Sequence, residues 1–403
     1  MSALDRRRFL RGTLLGAGAA GTLAASTGSS ADEATSSAGA APVFHGRHQN
    51  GILPEPSRHT AIAAFDVIAG TPGELRDLLR TLTDRLRRLT TGGTPTPVGI
   101  TAPPEDSGVL GPEPPGGVRS VVGVGASLFD ERFGLAARKP AALTPMREFP
   151  NDDLDSAQCH GDLSLQLSAE HPDTVLHALR DLARHTRGGM QLRWRVDGFT
   201  SPPRPDGAPR NLMGFKDGTA NPDPADSAEM DRLVWARPEP EWTAGGSYQV
   251  IRLIRMLVEF WDRISVNEQE LIFGRRRDSG APLDGSREAD APDYRLDPAG
   301  AVVPLSSHIR MANPRTPDTD AHRILRRSYN YDRGIDEVGD LDMGLVFTCF
   351  QQDPARQFEQ VQTRLVDEPL TDYIAPFGGG YFFALPGVRD ESDHLGRSLL
   401  ADL

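Results

Sequence analysis

The sequence predicts an α+β protein of two related domains, each an antiparallel sheet covered on one face by helices. Three observations predict it. Strand-length segments alternate polar and apolar residues, a proline-opened amphipathic helix follows several of them, and the scheme recurs in both halves of the chain. Strands of a doubly wound parallel sheet would read as unbroken apolar runs, and most of these do not.

In order, residues 60–68 (TAIAAFDVI) follow the segment His45-Gly46-Arg47-His48-Gln49 and read as a strand. Thr71-Pro72 then opens a helix with Leu75, Leu78, Leu79, Leu82, Leu86 and Leu89 on one face. Residues 162–167 (DLSLQL) alternate, and His171-Pro172 opens a helix with Val175, Leu176, Leu179, Leu182 and Ala183 inward. Residues 191–196 (QLRWRV) form another alternating strand. In the second half, residues 247–258 and 345–351 (LVFTCFQ) are strands, and 302–305 are strand-like. Asp353-Pro354 opens a helix with Phe358, Val361 and Leu365, and 381–385 (YFFAL) closes the pattern. The Pro/Gly/Asp-rich stretches 92–117 and 278–304 read as long surface loops. Residues 201–209 (SPPRPDGAP) mark the boundary between domains at 43–205 and 206–403.

A chain of 403 residues can bury a core without disulfide staples. Its 44 basic against 56 acidic residues give a net charge of −12, which argues against nucleic acid or an anionic membrane as partner. Cys159 and Cys349 are too few for a disulfide scaffold or a Cys-rich metal site, and a single bridge between them stays open. Lys139 and Lys216 are the only lysines, so 44 − 2 = 42 basic residues are arginine. That is the bias of a GC-rich bacterial genome, and it draws attention to Lys216.

Residues 5–11 (DRRRFLR) precede fourteen small or apolar residues, 12–25. An Arg pair before a weakly hydrophobic run is the pattern of a twin-arginine export signal. The run is too short and too rich in Gly and Ala to span about 30 Å of hydrocarbon. Residues 1–42 are therefore read as signal and linker, and the protein as exported to the periplasm, cell envelope or medium. That route carries folded cargo, a prior for a cofactor enzyme.

Gly123-Val124-Gly125 lacks the third glycine of a dinucleotide fingerprint, since Leu128 stands there. The Arg275-Arg276-Arg277 run reads as a solvated loop. Residues 211–222 (NLMGFKDGTANP) have the composition of a tight turn. In 308–315 (HIRMANPR) a lone His would by default be structural, and in 324–331 (ILRRSYNY) the Arg pair could lie on the surface.

Taken together with DMGLVFTCFQ and FGGGYFFALPG, these three segments resemble the dye-decolorizing (DyP-type) peroxidases, and among them the exported deferrochelatase/peroxidase branch. The resemblance runs from about His45 to Leu403, and GFKDGT is its most specific block. It implies two tandem ferredoxin-like domains, barrel-like as in dimeric α+β barrels, with haem b in the C-terminal domain. It implies His308 as the ligand of the haem iron. Such a ligand gives its other ring nitrogen to a carboxylate or carbonyl; Asp318 and Asp320 are the nearest candidates, and Asp320 is favoured. Asp217 matches the distal acid–base residue. Arg326, eighteen residues after His308, matches the distal arginine, the I-L-R register selecting it over Arg327. Gly218, Thr219, Ala220, Asn313, Pro314 and Arg315 match segments lining the haem, and Arg310 is a propionate partner by charge.

The function implied is a peroxidase that reduces hydrogen peroxide through an oxoferryl intermediate and oxidises dye-like or phenolic donors. A carboxylate base with an ordinary pKa of about 3.9 predicts an acidic optimum. Electrons from bulky donors would hop through surface aromatics, with Trp235, Trp242, Trp261, Tyr329, Tyr331 and Tyr381 as candidates. Deferrochelatase-type iron release is the alternative, beside iron- or copper-pathway proteins, and a non-catalytic haem carrier is a third reading. A homo-oligomer stays open.

Overall fold

The computed structural model describes residues 42–401, so all but the last residue of the expected signal and linker lies outside the described residues. In chain order the elements are β1 (His59–Val67), α1 (Pro72–Thr91), β2 (Arg119–Gly125), β3 (Leu163–Ala169), α2 (Pro172–His185), β4 (Met190–Phe199), α3 (Ser227–Leu233) and β5 (Ser247–Met256). They continue with α4 (Val258–Trp261), α5 (Val266–Phe273), α6 (His308–Ala312), α7 (Pro317–Asp320), β6 (Leu325–Arg326), β7 (Tyr329–Ile335), β8 (Leu341–Gln351), α8 (Phe358–Leu365) and β9 (Ile374–Ala384).

Each half contributes four antiparallel strands in ferredoxin-like order, β2-β3-β1-β4 and β9-β5-β8-β7. The halves do not keep separate sheets. β2 pairs with β9 from Gly123↔Ala384 to Gly125↔Phe382, and β4 meets β7 at Phe199↔Asn330. Because β5 also pairs with β8, the sheet closes into a barrel, with β6 added on β8. The expected α+β architecture is thus present, with its sheets fused end to end.

Closure explains why β1, β2, β3 and β5 are buried on both faces. Along β1, Ala61, Ala63 and Phe65 turn outward to α1 and α2, while Ile62 and Ala64 turn inward to Trp194, Ile251, Leu253 and Phe382. α1 starts where expected: Thr71 accepts the Glu74 N–H at 3.2 Å, Pro72 follows, and Glu74 Oε2 takes the Gly70 N–H at 2.7 Å. All six leucines of its predicted face are buried. Each contributes about 1.5–3 kcal/mol relative to exposure.

Three expectations need correction. The helix expected to open at Asp353-Pro354 begins instead at Phe358, with 354–357 in turns. In α2, Leu176 is 46% exposed and Ala183 is exposed, and the inner face is Val175, Ala178 and Leu182 with His177 and Asp181. The two polar residues belong there because they bind. Asp181 takes Arg85 of α1 through two bonds of 2.8 and 2.6 Å, and His177 Nδ1 lies 2.8 Å from Ser107 Oγ of the long loop. Counting apolar residues alone rotated the stripe. Residues 302–305 are not a strand, since the Asp297 carboxylate takes the N–H groups of Ala301, Val302 and Val303 at 2.7–3.1 Å and bends the chain.

Cys159 and Cys349 are both buried free thiols. Among the described residues no helix is long and apolar enough to cross a membrane.

Candidate active site

In the second half the outer face of β5 and β8 is covered by short helices and irregular chain, and these leave a cavity. Ile254, Leu345 and Phe347 form its sheet wall; Phe273 of α5, Ile309 of α6 and Leu365 of α8 form the opposite one.

His308 opens α6 on the helix side, with the edge of the Phe273 ring against it at 5.9 Å between centroids. Its Nδ1 lies 2.7 Å from Oε2 of Glu368, a carboxylate only 3% exposed at the end of the α8 segment. Burial alone would drive the imidazole toward its neutral form. The charge and hydrogen bond of Glu368 outweigh this and hold its pKa above the ordinary value. The expected partner Asp320 is instead bound to Arg232 at 2.8 Å and Arg323 at 3.4 Å, and Asp318 does not take its place. Sequence proximity misled because α7 carries both aspartates away from the ring, whereas Glu368 arrives sixty residues later. Nothing local in the sequence distinguishes it. Arg364 of α8 fixes α6 from its other end, donating to Met311 O at 2.9 Å and Ala312 O at 2.8 Å.

Asp217 and Arg326 meet on the sheet side, Arg326 Nη2 lying 2.5 Å from Asp217 Oδ1. Arg326 is carried on β6 opposite Cys349, with its guanidinium 5.3 Å from the Phe347 ring centroid. Asn221 seals the loop to the strand: its Oδ1 accepts the Arg326 N–H at 2.9 Å, and its Nδ2 donates to Arg326 O at 3.1 Å. The neighbouring Arg327 is 1% exposed and donates to Leu53 O and Arg326 O, away from the cavity. Asp217 and Arg326 also line an open cleft bounded by residues such as Ala208, Ser279 and Ala289, so the pair stands between the cavity and that cleft.

Gly218, Thr219, Ala220, Asn313 and Arg315 line the cavity. Pro314 is not among its walls. Arg310 turns away to Asp297 O at 2.8 Å, Val303 O at 2.8 Å and the face of Tyr294, so it is not available to a propionate. Arg275, read as solvated, is 6% exposed, lines the cavity and donates to Gly280 O at 2.6 Å and Glu288 O at 3.0 Å. Its triplet hid it, because only one of three consecutive arginines turns inward. The six candidate aromatics are all buried, so none is a surface residue. Trp261 packs on Phe273 at 5.7 Å, and Tyr381 on the cavity-lining Phe358 at 6.0 Å.

The donor set suits one axially bound macrocycle better than a side-chain metal cage. Among the described residues no three His, Cys, Asp or Glu side chains gather as metal ligands. Glu368 engages Nδ1 of His308 and leaves Nε2 as the ring nitrogen for a metal. Nε of Arg326 and Nη1 of Arg252 are buried without a protein partner on the wall of this cavity. Fold and site together define a haem-binding redox enzyme of the peroxidase kind. The chain belongs to the Dyp-type peroxidases: residues 49–200 match the N-terminal model of that family and residues 208–389 the C-terminal one. It is an oxidoreductase, and haem is its cofactor. Over 369 residues it is 50% identical to a deferrochelatase of Escherichia coli O6:K15:H31, covering 89% of this chain and 86% of that one, and 50% identical to a deferrochelatase of Shigella flexneri, covering 89% and 87%. Among solved structures it is similar to a DyP-type peroxidase from Cellulomonas bogoriensis (36% identity, TM-score 0.79, 89% and 98% of the two chains). Ferric DtpA from Streptomyces lividans gives 35% and 0.80, over 89% and 96%.

Proposed function

We propose that His308 would hold the haem iron, with Asp217 as the acid–base group and Arg326 its electrostatic partner, in a peroxidase that oxidises small phenolic or dye-like donors. The Asp217–Arg326 pair, set where the cavity meets the open cleft, carries this reading. Haem, when bound, supplies the iron that takes up peroxide and holds its oxidising power. Asp217 is engaged by Arg326 through Oδ1, leaving a second oxygen to take the proton of the incoming peroxide and hand it to the departing oxygen. The fixed charge of Arg326 steadies negative charge building there. Glu368 fixes the orientation of His308 and raises its basicity. Arg275 and Arg315 are the cationic side chains on the wall that suit carboxylates of the cofactor. Simple haem carriage requires neither Asp217 nor Arg326, which speaks against a non-catalytic carrier.

A second reading rests on the 50% identity to proteins named deferrochelatase, in which iron is released and the tetrapyrrole spared. Both readings use the same cavity. Purified holoprotein assayed with peroxide for dye turnover, and separately for metal-free porphyrin, discriminates them: dye turnover without porphyrin supports the peroxidase alone. The DRRRFLR leader supports export by the twin-arginine route to the cell envelope, where iron- or copper-pathway proteins would be partners. Changing Arg6 and Arg7 to Lys and fractionating cells tests it; unchanged export would refute it.

A further inference from the structure

Glu288, from the long 278–304 connection, grips the loop that carries Asp217 at three points. Its Oε2 lies 2.5 Å from Lys216 Nζ, and its Oε1 accepts the Ala208 N–H at 2.9 Å and the Thr219 hydroxyl at 3.1 Å. These positions bracket Asp217 on both sides. Lys216 has a side chain only 2% exposed and donates also to Asp206 O at 2.8 Å. Space for the ion pair is reserved by two glycines. A Cβ at Gly207 (φ +73°) would fall 2.0 Å from Glu288 Oε2, and one at Gly280 (φ +76°) 2.6 Å from Lys216 Cδ. From behind, Arg275 of the cavity wall donates to Glu288 O and so ties the clamp to the same cavity.

We propose that Glu288, with Lys216 as counter-ion, is a positioning residue that aims the Asp217 carboxylate into the cavity; this rests on Asp217 being the acid–base group. A buried ion pair returns little net stability over an apolar pair of the same volume, because desolvation offsets its attraction. Its value here lies in geometry. Asp217 itself donates its N–H to Pro209 O at 2.9 Å and pairs with Arg326, and proton transfer tolerates little displacement.

The test is Glu288→Gln in the full-length, haem-loaded protein. Haem loading and melting temperature are read first, then the peroxide reaction rate by stopped flow, and the association rate of cyanide with ferric protein. Cyanide binding is not turnover, yet it needs the same distal base to take the proton of HCN. The expected result is normal haem loading with both rates reduced about tenfold or more. Thr219→Val, which breaks one of the three holds, gives an intermediate loss. Glu288→Gln rates within twofold of wild type overturn the proposal. If that variant fails to fold, the charge-free double variant Lys216→Met/Glu288→Gln carries the same reading, and if neither folds the pair is a structural staple and the proposal fails. Asp217→Asn is the control. Wild-type rates in that control overturn the acid–base reading itself, whereas a slow control beside a normal Glu288→Gln defeats only the present inference.

Discussion

Nδ1 of His308 and Oε2 of Glu368 lie 2.7 Å apart, so the imidazole offered to the cavity is backed by a carboxylate excluded from solvent. That contact sets the donor strength of the ring and its orientation. Replacing Glu368 with Gln keeps a hydrogen bond but removes the charge. The iron–histidine stretch in the ferrous protein's Raman spectrum is expected to fall, and peroxidase activity to drop about 10–100-fold. An unmoved band would show that Glu368 does not tune the ligand.

His308→Ala should remove the side chain that would hold the haem iron and with it most haem retention. The check is the Soret band of protein purified after haem loading; full loading with unchanged coordination would refute the assignment.

Arg326→Leu should leave haem in place and slow the peroxide reaction about 10²–10³-fold, the scale on which one preorganised charge stabilises a transition state. The same change strips Asp217 of its partner and is expected to cost about 1–3 kcal/mol of stability. Stopped-flow rates and thermal melts read the two effects separately.

Glu288 also supplies a pH dependence of stability. Its burial opposes ionisation, but bonds from Lys216, Ala208 and Thr219 outweigh that and hold its pKa below the ordinary 4.5. A folded-state pKa that is depressed gives stability present above the unfolded value and lost as pH falls through the folded one. Melting temperature should therefore fall more steeply below pH 4.5 in wild type than in Glu288→Gln. Parallel curves would remove Glu288 from the acid response.

Burial raises the pKa of both thiols, pushing Cys349 up to about 12, and leaves little thiolate at either. Native protein at pH 8 should show no fast-reacting thiol with Ellman's reagent, and two after denaturation. A rapid native reaction would contradict their burial.

The sequence displays His308, Asp217 and Arg326 because each sits in a short segment of special composition. Local spacing also makes the α1 face plain, since six leucines and a proline-capped start leave one solution. What stayed hidden depends on tertiary contact. Glu368 meets His308 across 60 positions, and Glu288 meets Lys216 across 72. Asn221 closes on Arg326 across 105, and no periodicity marks any of the three. The inner face of α2 was obscured for the same reason, its His177 and Asp181 being buried by partners on other elements.

The ring of strands has a further consequence. Seams at β2–β9 and β4–β7 tie the cavity-bearing half to a half that contributes no wall residue on α1 or α2 to the cavity. Severed between the halves, the carboxyl-terminal fragment would present raw β7 and β9 borders, and such borders seek any available strand. The amino-terminal half thus covers in cis part of those edges, from Phe382 to Ala384 on β9 and at Asn330 on β7.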